Sequence, residues 1–382
     1  MKKLAIVGIL ATVICFLLAF QRTGGPRDIP GNAFLDSIRA LYQRPSKEWP
    51  RPFVDDSIRW QELTALPVSP YSRDSSLKEM AGLGKYLFFD PRLSGSNQIS
   101  CASCHEPELG WSNGRTVGIG HDHQLGSRNV PSLFNAWYFK KFFWDGRADS
   151  LEQQAVAPIS NELEMHEFPG KLEEELAEIP YYKEKFAQVF GKKAGISLNH
   201  IMKAIATYEK TISSRSAAFD LFMIGRYGAM TDQQVWGLHL FRTKARCMNC
   251  HNGPMFTDQE FHNIGLSYYG RKFEDLGLYK ITHKKEDVGK FKTPSLRDVA
   301  LTRPWMHNGL FDDLQGIVNL YDIGGARTKR KAEQVADTLF PETSPILKPL
   351  QLTKEEKEAV VAFLHSISSN TSYRVPRPVL PN

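Results

Sequence analysis

Two short stretches share the pattern C-x-x-C-H: Cys101-Ala102-Ser103-Cys104-His105 and Cys247-Met248-Asn249-Cys250-His251. This pattern attaches c-type haem, because both thiols form thioethers with the haem and the histidine becomes the proximal ligand of the iron. A zinc site or a redox-active C-x-x-C pair does not require a histidine directly after each cysteine pair. The fifth cysteine, Cys15, lies in an apolar N-terminal segment. The sequence therefore predicts two covalently bound haem c groups with His105 and His251 as iron ligands.

The N-terminus has the features of an export signal. Lys2 and Lys3 precede an apolar run over residues 4–20, which is long for a signal peptide and short for a membrane-spanning helix. No small-x-small cleavage site is clear, so residues 1–22 are interpreted as a signal peptide or an N-terminal membrane anchor. Because covalent haem attachment is expected outside the bacterial cytoplasm, the prediction is a periplasmic protein, either released or anchored to the inner membrane by residues 4–20.

Length and composition indicate a globular protein with more than one core. The chain has 382 residues, of which 42% are hydrophobic, so two domains are expected. The formal net charge of +6 is small and evenly spread, which argues against a nucleic-acid partner.

An internal repeat divides the chain into two units. Pro131-Ser132-Leu133 is followed 13 residues later by Trp144-Asp145-Gly146, and Pro294-Ser295-Leu296 is followed 13 residues later by His307-Asn308-Gly309. Similar Gly-x-x-Leu-Phe segments precede the two haem motifs, at residues 84–88 and 237–241. The common order and spacing predict two tandem cytochrome-like units with one haem each.

The predicted fold class is mainly α, with two tandem cytochrome c-like domains and long loops. Apolar residues at helical spacing predict helices from Leu77 to Leu87 and from Leu198 to Ile212, and Thr353 forms a capping box with Glu356. The predicted order after residues 1–22 is an extended N-terminal arm over 23–70, a first haem domain over 71–228, a second haem domain over 229–370 and a C-terminal tail over 371–382.

The two irons are expected to have different sixth ligands. Tyr321 lies 14 residues after His307, whereas the corresponding residue of the first unit is Pro158, which cannot ligate iron. The first haem is therefore the better candidate for chemistry. The residues available as sixth ligands are His121 and His123 for the first iron, and Tyr321, Met306 and Met255 for the second. Ligand chemistry alone leaves these alternatives open.

From about residue 70 to 370, the chain resembles the bacterial diheme cytochrome c peroxidases and their relatives, the MauG-type enzymes. The resemblance rests on both C-x-x-C-H motifs and on Gly120-His121, residues 128–135, Phe143-Trp144-Asp145-Gly146-Arg147, Glu164-Met165, residues 294–297 and residues 304–309. It implies a peroxidatic haem in domain 71–228 and an electron-transfer haem in domain 229–370. The implied partners are hydrogen peroxide and a small c-type cytochrome or cupredoxin as electron donor, and a homodimer is compatible with the resemblance.

The resemblance also implies roles for individual residues. His121 matches the loop histidine that caps the first iron in the resting peroxidases, and Trp144 matches the tryptophan between the haems. Gln154 and Glu164 match the distal pair, in which an amide orients peroxide and a carboxylate moves its proton. The residues matching a calcium site between the domains are Asn129, Thr302 and Pro304, and oxygen ligands suit calcium.

One departure from the peroxidases concerns the second haem. Tyr321 stands where typical peroxidases have a methionine and MauG-type enzymes have a tyrosine, and an anionic oxygen ligand lowers the reduction potential relative to methionine. His121, in contrast, follows the peroxidases. The leading hypothesis is a cytochrome c peroxidase; the alternatives are a MauG-like oxidase that modifies a residue of a partner protein, and a non-catalytic diheme electron-transfer cytochrome.

Overall fold

The structure is a computed structural model that describes residues 31–370 and 373–382. The predicted signal peptide or anchor over residues 1–22 lies outside the described residues. Within the described ranges, every helix is too short or too polar to cross a membrane.

The described chain is mainly helical, as predicted, and its strands are only two residues long. The α-helices are α1 Asn32–Tyr42, α2 Lys78–Phe89, α3 Cys101–Cys104, α4 Leu151–Ser160, α5 Pro169–Glu178, α6 Pro180–Phe190, α7 Leu198–Thr211, α8 Ala218–Met223, α9 Asp232–Arg242, α10 Tyr279–Thr282, α11 Leu314–Asp322 and α12 Lys354–Ser366. The antiparallel strands are β1 Phe261–His262 and β2 Phe291–Lys292. Short 3-10 turns occur at Ser46–Glu48, Pro70–Ser72, Ser75–Leu77, Pro91–Leu93, Pro107–Leu109, His121–His123, Ala136–Tyr138, Tyr227–Ala229, Cys247–Asn249, Lys285–Asp287, Val299–Leu301 and Ala332–Gln334.

The first unit is built around the crossing of α2 and α7. Gly84 of α2 lies so close to α7 that a Cβ atom on it would be 1.9 Å from the carbonyl oxygen of Ala204. Helix α4 also packs against α7. Helices α5 and α6 meet at Pro180, which occupies the first position of α6, where proline is favoured.

The second unit repeats this crossing with α9 and α12. A Cβ on Gly237 of α9 would be 1.9 Å from the carbonyl oxygen of Ala359 in α12. Helix α12 begins with the predicted capping box, because the backbone NH groups of Thr353 and Glu356 each donate to the other residue's side chain. Helix α11 packs against α12, which places Tyr321 inside this unit.

A tight hairpin recurs at corresponding positions of the two units. Phe142 pairs with Ala148 around Trp144, and Trp305 pairs with Phe311 around His307. The residues before Trp144 and His307 both have a positive φ, 64° at Phe143 and 69° at Met306. The equivalent pairing and backbone conformation confirm the predicted tandem repeat.

The predicted extended arm over 23–70 is wrong for part of its length. Residues Asn32–Tyr42 form α1, which packs against α9 of the second unit. Leu35, Ile38 and Tyr42 contact the second core, at helical spacing that the proline-rich and charged composition of this region concealed. Residues after α1 also pack there, including the buried Leu63.

The C-terminal segment packs against the first unit, whereas α1 packs against the second. Tyr373 follows the second unit in sequence but lies in the core of the first unit, where its ring contacts Phe134 at a centroid distance of 4.5 Å. The hydroxyl group of Tyr373 accepts a hydrogen bond of 2.7 Å from the backbone NH of Arg215. Each unit is therefore completed by the chain terminus that lies farther from it in sequence.

Candidate haem sites and the interface between them

Each motif histidine is oriented by a backbone carbonyl group. The Nδ1 of His105 donates to the carbonyl oxygen of Trp111 at 3.0 Å, and the Nδ1 of His251 donates to that of Phe256 at 2.9 Å. Burial lowers the pKa of both histidines, to about 4 for His105, so both imidazoles are neutral. The Nε2 atom of each ring is then free to bind iron, which is the arrangement of an iron-ligating histidine.

The motif cysteines are available for thioether bonds. Cys101 and Cys104 lie at the two ends of α3, one helical turn apart, and Cys247 begins a 3-10 turn after which Cys250 follows. All four thiols are free of disulfide bonds. Two thiols beside a neutral, oriented histidine fit a covalently bound haem in each unit.

Glu164 lies beside the first haem motif. Burial raises the pKa of the Cys104 thiol to about 11, and the nearby carboxylate of Glu164 contributes to this rise. The Nδ2 of Asn161 donates to Oε1 of Glu164 at 3.0 Å. Burial raises the pKa of Glu164, an effect that Arg147 and Asn161 offset only in part. This carboxylate is therefore fixed in position and binds a proton more readily than an exposed one.

His121 lies next to Glu164 through the backbone. Its NH donates to the carbonyl oxygen of Glu164 at 2.7 Å, and a Cβ on the preceding Gly120 would be 2.1 Å from the carbonyl oxygen of Leu163. The Nδ1 of His121 is buried without a hydrogen-bond partner. His123, in contrast, is exposed. Of the two loop histidines, the structure brings His121 to the candidate site.

Gln154 and Glu164 lie on adjoining segments. Gln154 is half-buried on α4, and the chain turns back after this helix so that the NH of Met165 donates to the carbonyl oxygen of Pro158 at 3.1 Å. The turn brings the segment that carries Glu164 back against the helix that carries Gln154. Their roles stay predictions.

Among the three candidate ligands of the second iron, Tyr321 faces the motif. Burial raises the pKa of its hydroxyl group, and the nearby thiols of Cys250 and Cys247 add to the rise. Met255 is fully buried and Met306 packs against the core of the second unit. Tyr321 is therefore the candidate whose polar atom lies beside the thioether-forming residues.

Trp144 lies where the two units meet. Its indole Nε1 donates to the carbonyl oxygen of Asn129 at 2.9 Å, and its ring meets that of His307 edge-on at 6.4 Å. The NH of Asn129 donates to the carbonyl oxygen of His307 at 2.8 Å. These two repeat counterparts, Trp144 and His307, thus face each other across the interface.

The residues of the predicted calcium site lie at this interface too. Asn129 is buried, and its Nδ2 donates to the carbonyl oxygen of Arg115 at 3.0 Å. Thr302 approaches the first unit, because a Cβ on Gly110 would be 3.2 Å from its methyl group. Pro304 is buried three residues before His307. The binding of calcium by this set stays a prediction.

Two residues near the first motif were not selected from the sequence. Asn161 fixes Glu164, as described above. Glu209 on α7 is only 3% exposed, and its Oε2 has no hydrogen-bond partner. Burial raises its pKa to about 8, and its charge contributes to the raised pKa of Cys101. The sequence could have indicated Glu209, because it is an acidic residue that directly follows Tyr208 within the apolar stripe that ends at Ile212.

Comparisons with known proteins agree with this arrangement. Residues 78–228 match the family described as di-haem cytochrome c peroxidase. The chain is 34% identical over 349 residues to the cytochrome-c peroxidase IdrP1 of Pseudomonas sp. (strain SCT), covering 84% of this chain and 89% of that protein. It is 37% identical over 303 residues to the methylamine utilization protein MauG of Methylorubrum extorquens, covering 79% and 82%.

A solved structure shows the same architecture. The crystal structure of a MauG-like protein associated with microbial copper homeostasis superimposes with a TM-score of 0.70 at 28% sequence identity, covering 84% of this chain and 97% of that one. The two haem motifs, the tandem fold and these relatives lead to one assignment. The chain belongs to the di-haem cytochrome c peroxidase family.

Proposed function

We propose that this protein reduces one molecule of hydrogen peroxide to two molecules of water. The reaction consumes two protons and two electrons, and the electrons come from a small redox protein. The observation that carries the proposal is Glu164, a half-buried carboxylate with a raised pKa that lies beside the first haem motif and is held by Asn161. Electron transfer alone does not require a proton-transferring carboxylate next to the haem.

The first haem, held by Cys101, Cys104 and His105, would supply the iron centre at which peroxide is reduced. The carboxylate of Glu164 accepts a proton from one oxygen of peroxide and returns it to the other, which makes water the leaving group when the O–O bond breaks. The amide of Gln154 orients peroxide for this transfer. His121 is proposed to cap the site in the resting protein.

The second haem would be the entry point for electrons. Its ligands are proposed to be His251 and Tyr321, with Met306 as the alternative to Tyr321. Trp144 lies at the interface between the units, so its indole is suited to relay an electron from the second unit to the first. A small c-type cytochrome or a cupredoxin is the proposed donor, and calcium held by Asn129, Thr302 and Pro304 would fix the two units relative to each other.

The proposed location is the periplasm. Lys2, Lys3 and the apolar residues 4–20 support export, and covalent attachment of haem c to the two motifs takes place outside the cytoplasm.

A second candidate function is a MauG-like oxidase that modifies a residue of a partner protein. Tyr321 favours this alternative, because its hydroxyl group lies beside Cys247 and Cys250, and an anionic oxygen ligand would give the second haem a low reduction potential. A haem of low potential accepts electrons poorly from a small cytochrome.

Steady-state turnover of peroxide by the holoprotein, with reduced cytochrome c or reduced cupredoxin as donor, tests the proposal. Sustained donor oxidation at two electrons per peroxide is expected. Negligible turnover together with a long-lived spectral change after peroxide addition would favour the MauG-like oxidase. A haem spectrum that peroxide leaves unchanged in the half-reduced protein would support a non-catalytic electron-transfer cytochrome.

A further inference from the structure

Arg128 forms a buried ion pair between the two units. Its Nε and Nη2 atoms donate to the two carboxylate oxygens of Asp275, at 2.6 and 2.9 Å. The side chains are only 14% and 10% exposed. Burial alone would raise the pKa of Asp275, but the hydrogen bonds and charge of Arg128 hold it well below its ordinary value. A two-pronged pair of this kind fixes both distance and orientation.

The same guanidinium group also fixes the segment that carries Trp144. Its Nη1 donates to Asp145, the residue after Trp144, at 2.5 Å. Asn129, the residue after Arg128, accepts a hydrogen bond from the indole NH of Trp144 through its backbone carbonyl oxygen. Its own backbone NH donates to the carbonyl oxygen of His307. The consecutive residues Arg128 and Asn129 therefore hold the indole against the second unit.

Arg128 lies at the base of the loop that carries His121. This loop is closed by a hydrogen bond of 2.9 Å from the NH of Gly126 to the carbonyl oxygen of Gly118, and Arg128 follows Gly126 by two residues. On the other side, Asp275 is held rigidly, because its NH donates to the carbonyl oxygen of Ser267 and its carboxylate accepts from the NH of Gly277. A fixed carboxylate of the second unit thus anchors the loop that would cap the first iron.

We propose that Arg128 is a positioning residue that couples the second unit to His121. While its pair with Asp275 is intact, the loop keeps His121 on the first iron. When the pair is broken, the loop loses its side-chain anchor to the second unit and His121 leaves. This inference depends on the proposed function, since it requires His121 to be an iron ligand in the resting protein.

The test is paramagnetic resonance of the fully oxidised holoprotein, with haem content checked by absorbance. Arg128→Gln and Asp275→Asn are each expected to convert the first iron from low spin to high spin and to let it bind peroxide without prior reduction of the second haem. The double variant is expected to do no more than either single one. Arg128→Lys, which keeps the charge but loses the two-pronged geometry, is expected to convert only part of the iron.

Lys280→Gln is the matched control. Lys280 also pairs with Asp275, at 3.4 Å, but it is 53% exposed and does not belong to the loop. Its spectrum should be that of the unaltered protein. Low-spin first iron in both Arg128→Gln and Asp275→Asn would overturn the inference. His121→Ala distinguishes failure of the proposed function from failure of this inference. An unchanged spectrum of His121→Ala would contradict the proposed role of His121 as an iron ligand. A changed spectrum of His121→Ala, together with an unchanged spectrum of Arg128→Gln, would contradict the coupling alone.

Discussion

Glu164 combines two properties that a proton-transferring group needs. The hydrogen bond from Asn161 fixes its geometry, and burial raises its pKa above the ordinary value of a carboxyl group. A group that must both accept and return a proton works best when its pKa lies near the working pH. Few surface carboxylates meet either condition, because water solvates them and leaves their pKa low.

Glu164→Gln should lower peroxide turnover by roughly 10²–10⁴-fold, the usual contribution of a positioned acid–base group. In the unaltered protein, activity should fall as the pH drops through the raised pKa of Glu164, at a higher pH than for an ordinary carboxyl group, because only the ionised form accepts a proton. The variant should lack this acid limb. The pH profile of kcat/KM measures both effects.

Glu162→Gln is the control for this prediction, because Glu162 is exposed and lies two residues away. It should retain the rate and the acid limb of the unaltered protein. A nearly normal rate for Glu164→Gln would remove this carboxylate from the mechanism.

For single residues, the sequence predicts the haem-binding side chains better than it predicts the contacts around them. His105 and His251 follow from the C-x-x-C-H pattern itself, whereas Glu164 is one of 42 acidic residues and was selected through a family resemblance. The hydrogen bond from Asn161 and the burial of Glu209 depend on how α4, α7 and the loop of His121 pack together. No short pattern in the chain encodes those contacts.

The helix crossings are the elements that hold each haem unit together. In both units a glycine allows two helix backbones to touch, Gly84 at the crossing of α2 and α7 and Gly237 at that of α9 and α12. The sequence repeat aligned these two glycines, but only the structure shows why neither position accepts a side chain.

Gly84→Ala should destabilise the first unit, because the added Cβ would be 1.9 Å from the carbonyl oxygen of Ala204 and the helices must move apart. Overpacking of this kind typically costs about 1–3 kcal/mol. Gly82→Ala in the same helix meets no atom within 4 Å and should stabilise the helix by up to about 1 kcal/mol. Thermal unfolding of the holoprotein compares them; equal or opposite shifts would contradict the close crossing.

Helix α11 is expected to supply the sixth ligand of the second iron. Tyr321→Phe should change the absorption and paramagnetic resonance spectra of one haem only, because the hydroxyl oxygen beside Cys247 and Cys250 is lost while the ring remains. Met306→Leu serves as the comparison and should leave both spectra unchanged. The reverse outcome would make Met306 the ligand, in the manner of electron-transfer haems.

At the scale of the whole molecule, the two units exchange their chain ends. The segment from α1 to Leu63 completes the second core, and Tyr373 completes the first. The sequence correctly predicts the tandem units, because motif order and spacing are local. It predicts an extended arm where α1 packs on the second core, and it assigns no partner to Tyr373, because these segments have the composition of loops and their partners lie far away in the chain.

Tyr373→Ala should therefore destabilise the first unit although Tyr373 follows the second unit in sequence. The side chain is 7% exposed, packs on Phe134 and accepts a hydrogen bond from Arg215, so its loss should cost about 3 kcal/mol, as for a large aromatic side chain in a core. Amide hydrogen exchange in the holoprotein should show faster exchange in α7 and unchanged exchange in α12.

Val379→Ala controls for a general effect of altering the tail, because Val379 is 90% exposed. It should leave exchange in both helices as it was. Faster exchange in α12 instead of α7 after Tyr373→Ala would mean that the tail stabilises the unit it follows. Selective loss of protection from exchange in α7 would show that Tyr373 stabilises the first haem unit. Because Tyr373 follows the second unit in sequence, the first unit could then complete its folding only after the second has been synthesised.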